Sequence, residues 1–194
     1  MSLLFSNIFD FKYGIQYKQV HINYYTNTSH DDNWCVGVAA FNPVGIDVTH
    51  IKPQNNLHLL VKKACDNDEW ESNYGKLQDD ESLLTVFYRL WSHKEAILKA
   101  VGTGIRSMSD LRNVQFDLST DLTSFSTKLR PTSMLSQFPW TFDEHRIDND
   151  HRIVVAVNSL FSNCSDRKIT HLNISDLVKQ CSKMALLEYH EDNS

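Results

Sequence analysis

Cysteine is scarce in this chain and scattered. Cys35, Cys65, Cys164 and Cys181 form no C-x-x-C pair, a spacing that argues against a structural zinc site. Reduced intracellular thiols are the simplest expectation. Long hydrophobic runs are also missing. No stretch approaches the roughly 18 apolar residues of a membrane span, so no membrane partner is expected. Met1 to Phe11 lacks a positively charged start, and Asn7 and Asp10 interrupt its apolar run, which makes it a poor secretory signal. A cytoplasmic location is therefore expected, and the sequons at Asn27, Asn163 and Asn173 then carry no meaning. Basic clusters are absent too: 19 Lys and Arg against 24 Asp and Glu leave a net charge of -5. Nucleic-acid binding usually needs a basic face, so none is expected. No internal repeat or low-complexity tract is present.

What is present suffices for a core. A chain of 194 residues suits one domain or a domain with appendages, and 41% hydrophobic with 11% aromatic residues can fill its interior. Residues 34–41 read as a buried strand, Asn42-Pro43 as a turn and Val44–Val48 as a second strand. Together they predict a hairpin with Asp47 near a strand end. Residues 57–65 are moderately helical, and 66–80 are polar and irregular. Glu81 to Val101 is the strongest element. At about 100° per residue, Leu83, Val86, Phe87, Leu90, Trp91, Ile97, Leu98 and Val101 share one broad face. Tyr88, Ser92, Glu95 and Lys99 form a narrow polar stripe on the other side. Lys94 falls within the apolar face, either snorkelling to water from a shallowly packed end or reaching into a site. Gly102 and Gly104 fit a left-handed cap and a tight turn. Residues 113–118 alternate like a strand, and 119–137 read as a Ser/Thr-rich loop. Trp140–Ile147 and His151–Val157 make a hairpin about Asp148-Asn149-Asp150, with His145 and His151 read as surface residues. A helix is expected near Asp176 to Leu187. Strand pairs with one dominant helix predict an α+β fold, an antiparallel sheet packed on the long helix.

The candidate chemistry is weak piece by piece. Glu95 and Lys99, four residues apart, share a helix face. They are either a surface ion pair, contributing roughly 0.2–0.5 kcal/mol, or a pair that holds a metal and a phosphate side by side. Asp47 alone reads as a turn or surface carboxylate. Asn27-Thr28-Ser29-His30 alone reads as a turn that bonds itself. Together they make chemical sense. Two carboxylates, Asp47 and Glu95, are the usual protein share of a magnesium site. Lys99 can neutralise phosphate charge, and Ser29 and His30 offer a hydroxyl and an imidazole to a second phosphate. The set suits a diphosphate ester held on a divalent cation.

Gly45-Ile46-Asp47-Val48 followed by Trp91-Ser92-His93-Lys94-Glu95 and Lys99 resembles the signature of the 4′-phosphopantetheinyl transferases. Asn27-Thr28-Ser29-His30 resembles the loop that precedes that signature. Phe87-Tyr88-Arg89-Leu90-Trp91, Gly102-Thr103-Gly104 and Val114-Gln115-Phe116-Asp117-Leu118 resemble the eukaryotic branch. Trp140-Thr141-Phe142-Asp143-Glu144 with Ile147-Asp148 and Val154-Val155-Ala156-Val157 is most similar to the animal version. The resemblance implies a magnesium-dependent transfer of the phosphopantetheine arm of coenzyme A to a serine of an apo carrier protein. Adenosine 3′,5′-bisphosphate would be released. It implies that Asp47 and Glu95 hold Mg2+, that Glu95 and Lys99 are catalytic, and that Asn27, Thr28, Ser29, His30, Asp47, Glu95 and Lys99 contact the co-substrate. The implied partners are carrier domains of fatty acid synthase and of aminoadipate-semialdehyde dehydrogenase, the latter in lysine metabolism.

The chain departs from the family pattern in two places. Thr49 stands where some members carry a second acid, which leaves two protein carboxylates. Single-chain members are pseudo-dimers of two α/β halves, and here the first half is largely missing. The expected layout is a remnant or divergent segment at 1–26, the transferase domain at 27–160, mostly the second pseudo-repeat, and a tail at 161–194. An exposed junction face would favour self-association. A truncated or inactive module that binds carrier protein or coenzyme A is the alternative to an active enzyme.

Overall fold

The computed structural model describes residues 2–7, 24–74, 80–118, 127–160 and 168–172. In chain order the elements are Ser2–Asn7 (β1), Tyr25–Asp31 (β2), Trp34–Ala40 (β3), Val44–His50 (β4), Leu57–Ala64 (α1), Asn67–Tyr74 (α2) and Asp80–Ala100 (α3). Then follow Met108–Arg112 (α4), Phe116–Leu118 (β5), Thr127–Leu129 (β6), Trp140–Arg146 (β7), His151–Asn158 (β8) and Lys168–Leu172 (β9). The class is α+β, as expected. One sheet has the order β2-β3-β1-β9, a second β4-β8-β7, and β5 pairs with β6. All pairs are antiparallel except β1 with β3.

Strand β8 organises the packing. Every one of its residues is buried, so both faces need cover, and alternate side chains serve different cores. Ile153, Val155 and Val157 pack with Val44, Ile46 and Val48 of β4 and with Val36, Val38 and Ala40 of β3. Val154 and Ala156 pack on the helical side with Val86, Phe87, Leu90, Ala96 and Ile97 of α3. The same alternation turns Gly45, Asp47 and Thr49 of β4 toward α3.

Gly45 sets how close α3 comes. A Cβ there would lie 2.0 Å from the Ala96 carbonyl oxygen and 2.5 Å from the Ala100 nitrogen. Gly102 and Gly104 end the helix with φ of 76° and 59°. The Leu98 carbonyl accepts from the backbone N–H of Thr103 at 3.1 Å and of Gly104 at 3.2 Å. This is the expected left-handed termination.

Several local expectations give way. Residues 34–41 and 44–48 do not form a hairpin: β3 pairs with β2, and the chain changes sheets at Asn42-Pro43. Asp47 is accordingly mid-strand, opposite Val154. The apolar runs on both sides of the turn are buried because each belongs to a different sheet facing the same core. Residues 67–74 are helical, since Asp66 Oδ1 accepts the Glu69 N–H at 2.7 Å and starts α2. Part of the expected loop, 127–129, pairs with β5. The expected helix at 176–187 lies outside the described residues.

Lys94 takes neither of the two routes expected of it. It is fully buried and donates to Glu69 Oε2 at 2.5 Å, Leu111 O at 2.9 Å and Ala64 O at 3.1 Å. It ties α3 to α1, α2 and α4. Glu69 Oε1 in turn accepts the Phe116 N–H at 2.8 Å. Burial raises the Glu69 pKa above the ordinary carboxylate range, and Lys94 opposes that rise. On the β7–β8 side, Glu144 is shared by buried Arg89 and Arg152 at 3.0 and 2.6 Å.

Candidate active site

The polar stripe of α3 faces the protein, not solvent. Tyr88 and Ser92 are buried, and the stripe lies against the polar side of β4. Lys99 Nζ is 2.8 Å from Asp47 Oδ1 and 3.5 Å from Glu95 Oε2, so one ammonium lies between two carboxylates. It also donates to Ser29 Oγ at 2.8 Å. Ser29 Oγ donates to Asp47 Oδ1 at 3.1 Å. The other Asp47 oxygen accepts from Thr49 Oγ1 at 2.7 Å, and Ser92 Oγ donates to Thr49 Oγ1 at 2.7 Å. Burial, followed by the nearby Asp47 carboxylate, pushes the Glu95 pKa up, and Lys99 pulls it partly back.

These groups line a cavity of about 490 Å³. Thr28, Ser29, His30, Asp47, Glu95 and Lys99 all stand on its wall, joined by Trp91 and His50. Asn27 does not. Its side-chain oxygen accepts the Ile46 N–H at 3.1 Å.

Asn27 is the first rung of a regular device. β4 is an edge strand of its sheet, so N–H groups on its outer side need partners. β2 supplies them from alternate side chains. Asn27 Oδ1 takes the Ile46 N–H, Ser29 Oγ the Val48 N–H at 3.3 Å, and Asp31 Oδ2 the His50 N–H at 2.9 Å. The Asn-x-Ser-x-Asp spacing therefore forms a strand rather than a self-bonded turn. Ser29 is buried by this pairing, while Thr28 and His30 are exposed.

Sequence reasoning passed over Thr49 and Ser92 as site groups, though Ser92 belongs to the polar stripe and Thr49 shares the parity of Asp47. It also took His151 for a surface residue. The side chain is buried against Asp148 and stacked on His50, because the turn folds back over the strand ends. His145 is half-buried. Among the described residues, Cys35 and Cys65 form no disulfide. No helix among the described residues is long and apolar enough to cross a membrane.

Residues 43–156, which carry β4, the long helix and the β7–β8 pair, match the family described as "4'-phosphopantetheinyl transferase superfamily". The chain belongs to this family. It is 28% identical over 185 residues to the L-aminoadipate-semialdehyde dehydrogenase-phosphopantetheinyl transferase of Pongo abelii, covering 84% of this chain and 59% of that protein. The Mus musculus protein of the same name is 29% identical with the same coverage. A 4'-phosphopantetheinyl transferase of Bacillus subtilis is 29% identical over 115 residues, 59% of this chain and 43% of the relative. The chain thus spans 59% of the length of the animal relatives.

Proposed function

We propose that the chain transfers the 4′-phosphopantetheine arm of coenzyme A to a serine hydroxyl of an apo acyl or peptidyl carrier protein. Adenosine 3′,5′-bisphosphate leaves, and Mg2+ is the metal. The observation that carries this reading is the meeting of Asp47, Glu95 and Lys99 on the wall of one cavity, with the ammonium between the carboxylates. With the Lys99 ammonium turned to phosphate, the two carboxylates are left as an all-oxygen donor set, which suits a hard cation. Asp47 and Glu95 are the residues that would hold magnesium, which supplies charge neutralisation at the pyrophosphate.

The protein's own groups do the rest. Lys99 turns its ammonium to the phosphate oxygens, and Ser29 keeps Asp47 in place. Exposed Thr28 and His30 contact the nucleotide end at the rim. Glu95, with its raised pKa, accepts the proton of the carrier serine, directly or through water. The serine oxygen then bonds to phosphorus, and the bond to the bisphosphate oxygen breaks with its electron pair on the leaving group. Such general-base help contributes about 10²–10⁴-fold in rate. Carrier domains of the aminoadipate-semialdehyde dehydrogenase type are the first substrates to try, on the strength of the relatives' names. Those of fatty acid synthase come second. On this reading residues 27–160 are the transferase unit, working in the cytoplasm, and the chain self-associates.

Intact-mass analysis of an apo carrier domain incubated with the chain, coenzyme A and Mg2+ tests the reading. The holo mass is expected, with a loss of about 10²-fold or more in Glu95→Gln. A folded chain that leaves the carrier unmodified, beside a working control enzyme, would overturn it. Binding of coenzyme A without transfer would identify a binding module instead.

A further inference from the structure

One cluster at the end of β4 has no part in that chemistry. His50 and His151 are directly opposite in the β4–β8 ladder. Their rings stack with centroids 4.5 Å apart and planes 20° apart. Asp32 occupies the β2–β3 turn in a left-handed conformation, φ 50°, and brings Oδ2 to 3.8 Å from His151 Nε2. One donor atom from each of Asp32, His50 and His151 lies within 4.8 Å of the other two. We propose that these three residues bind a borderline first-row divalent cation, zinc in the first instance, at a site separate from Asp47 and Glu95.

Two independent features support this. The first is the donor set. Two imidazoles and a carboxylate suit zinc, whereas magnesium takes oxygen ligands. The second is the state of His151. It is 7% exposed, and among the described residues its Nε2 has no hydrogen-bond partner. Its Nδ1 lies 2.9 Å from Asp148 Oδ1 and 3.0 Å from Oδ2. In the neutral imidazole, a carboxylate on one ring nitrogen holds the proton there and leaves the other nitrogen's lone pair free, the arrangement that orients metal-binding histidines. That lone pair faces the Asp32 carboxylate. Two acceptors facing each other repel, and a cation between them relieves it.

Donors about 2.0–2.1 Å from a tetrahedral zinc stand about 3.3 Å from one another, so the cluster must tighten. His151 is fixed by Asp148, which is itself held by Trp34 Nε1 at 3.1 Å and by the Asp150 and His151 N–H groups at 2.9 and 2.7 Å. The partners left to move are half-buried His50 and Asp32, whose side chain is 46% exposed and accepts the Asn33 amide at 3.1 Å. Water takes the fourth position. The ion would then fasten the β2–β3 turn to the ends of β4 and β8. His50 and Asp31 stand on the cavity wall beside His30, so the clip would stiffen the cavity rim.

Calorimetric titration of the full chain with zinc chloride, in excess Mg2+, tests the site. Cobalt serves as the spectroscopic stand-in. Trp34, with its ring 6.4 Å from that of His151, reports binding by a change in fluorescence. One equivalent is expected, with a tetrahedral cobalt spectrum and a melting temperature raised by mass action. His50→Gln and Asp32→Asn should each weaken binding at least tenfold, and Asp148→Asn by about 10–100-fold. Asp47→Asn should leave zinc affinity unchanged. Asp32 lies in an exposed turn, so its variant stays folded and remains decisive if a histidine variant does not. No binding by the wild-type chain, or equal affinity in Asp32→Asn and His50→Gln, would overturn the proposal.

Discussion

Gly45→Ala tests whether the spacing between β4 and α3 builds the site. The added Cβ would lie 2.0 Å from the Ala96 carbonyl oxygen, against the 3.4 Å or more of ordinary contact. Both obstacles, that oxygen and the Ala100 backbone, are main chain, so no side-chain rotation removes the clash. The helix must move away from the strand by more than about 1 Å, and overpacking of this kind costs about 1–3 kcal/mol. Ala96 is next to Glu95 and one turn before Lys99, so the same shift draws both from Asp47, two residues along β4. Misplacing reacting groups by about 1 Å can cost about 10² in rate. Urea denaturation should show a lower midpoint with an unchanged slope. Transfer to a carrier domain should fall by about 10²-fold in a sample still folded by circular dichroism. Ala96→Gly should not rescue it, because the carbonyl remains. Wild-type stability together with wild-type transfer in Gly45→Ala would refute the argument.

Other perturbations separate structural from functional roles. Lys94→Met strands the buried Glu69 carboxylate and should cost about 3–5 kcal/mol by denaturant titration. The loss should shrink at low pH, where Glu69 becomes neutral, and Lys94→Met with Glu69→Gln should recover part of it. His93 is fully buried with its Nδ1 proton on the Arg89 carbonyl at 2.7 Å, and burial lowers its pKa from 6.5 to about 4. The unfolded chain therefore binds the extra proton first. Stability from this group is complete above the unfolded value near 6.5 and is lost as pH falls toward 4. The full loss is about 3 kcal/mol, and His93→Phe should flatten that part of the stability curve. Asn27→Ala leaves the Ile46 N–H unpartnered and should cost about 1–3 kcal/mol by the same measurement, whereas Asn27→Asp keeps the acceptor and should cost less. Loss of transfer in Asn27→Ala without loss of stability would instead favour direct co-substrate contact.

Much of the fold was legible because it rests on local patterns. The long helix declares itself by its 3.6-residue period, its end by Gly102 and Gly104, and the β7–β8 hairpin by strands flanking Asp148-Asn149-Asp150. The topology around β4 was not legible. Residues 34–41 and 44–48 are apolar, adjacent and separated by Asn-Pro, which is also how a hairpin looks. What separates them is that each packs on the same core from a different sheet, a tertiary fact with no local mark. The role of β2 was hidden for a related reason. Asn and Asp are depleted in strands, yet this strand pairs along its length with β3, and Asn27, Ser29 and Asp31 complete the bare edge of β4.

The two lysines of α3 show where periodicity stops being informative. Lys94 interrupts the apolar face and Lys99 lies on the polar one. Pattern alone therefore places the first near a surface or a site and leaves the second open between a surface ion pair and a site. It settles neither, because a helix face has a direction but no stated destination. Lys94 is fully buried because Glu69 and two backbone carbonyls replace its water, so its charge fastens helices together. Lys99 meets carboxylates on a cavity wall and keeps 24% of its side chain exposed, so its charge stays available to a ligand. The distinction lies in what faces each ammonium. Closed coordination by protein groups makes Lys94 structural, and open coordination beside a cavity makes Lys99 the one suited to phosphate.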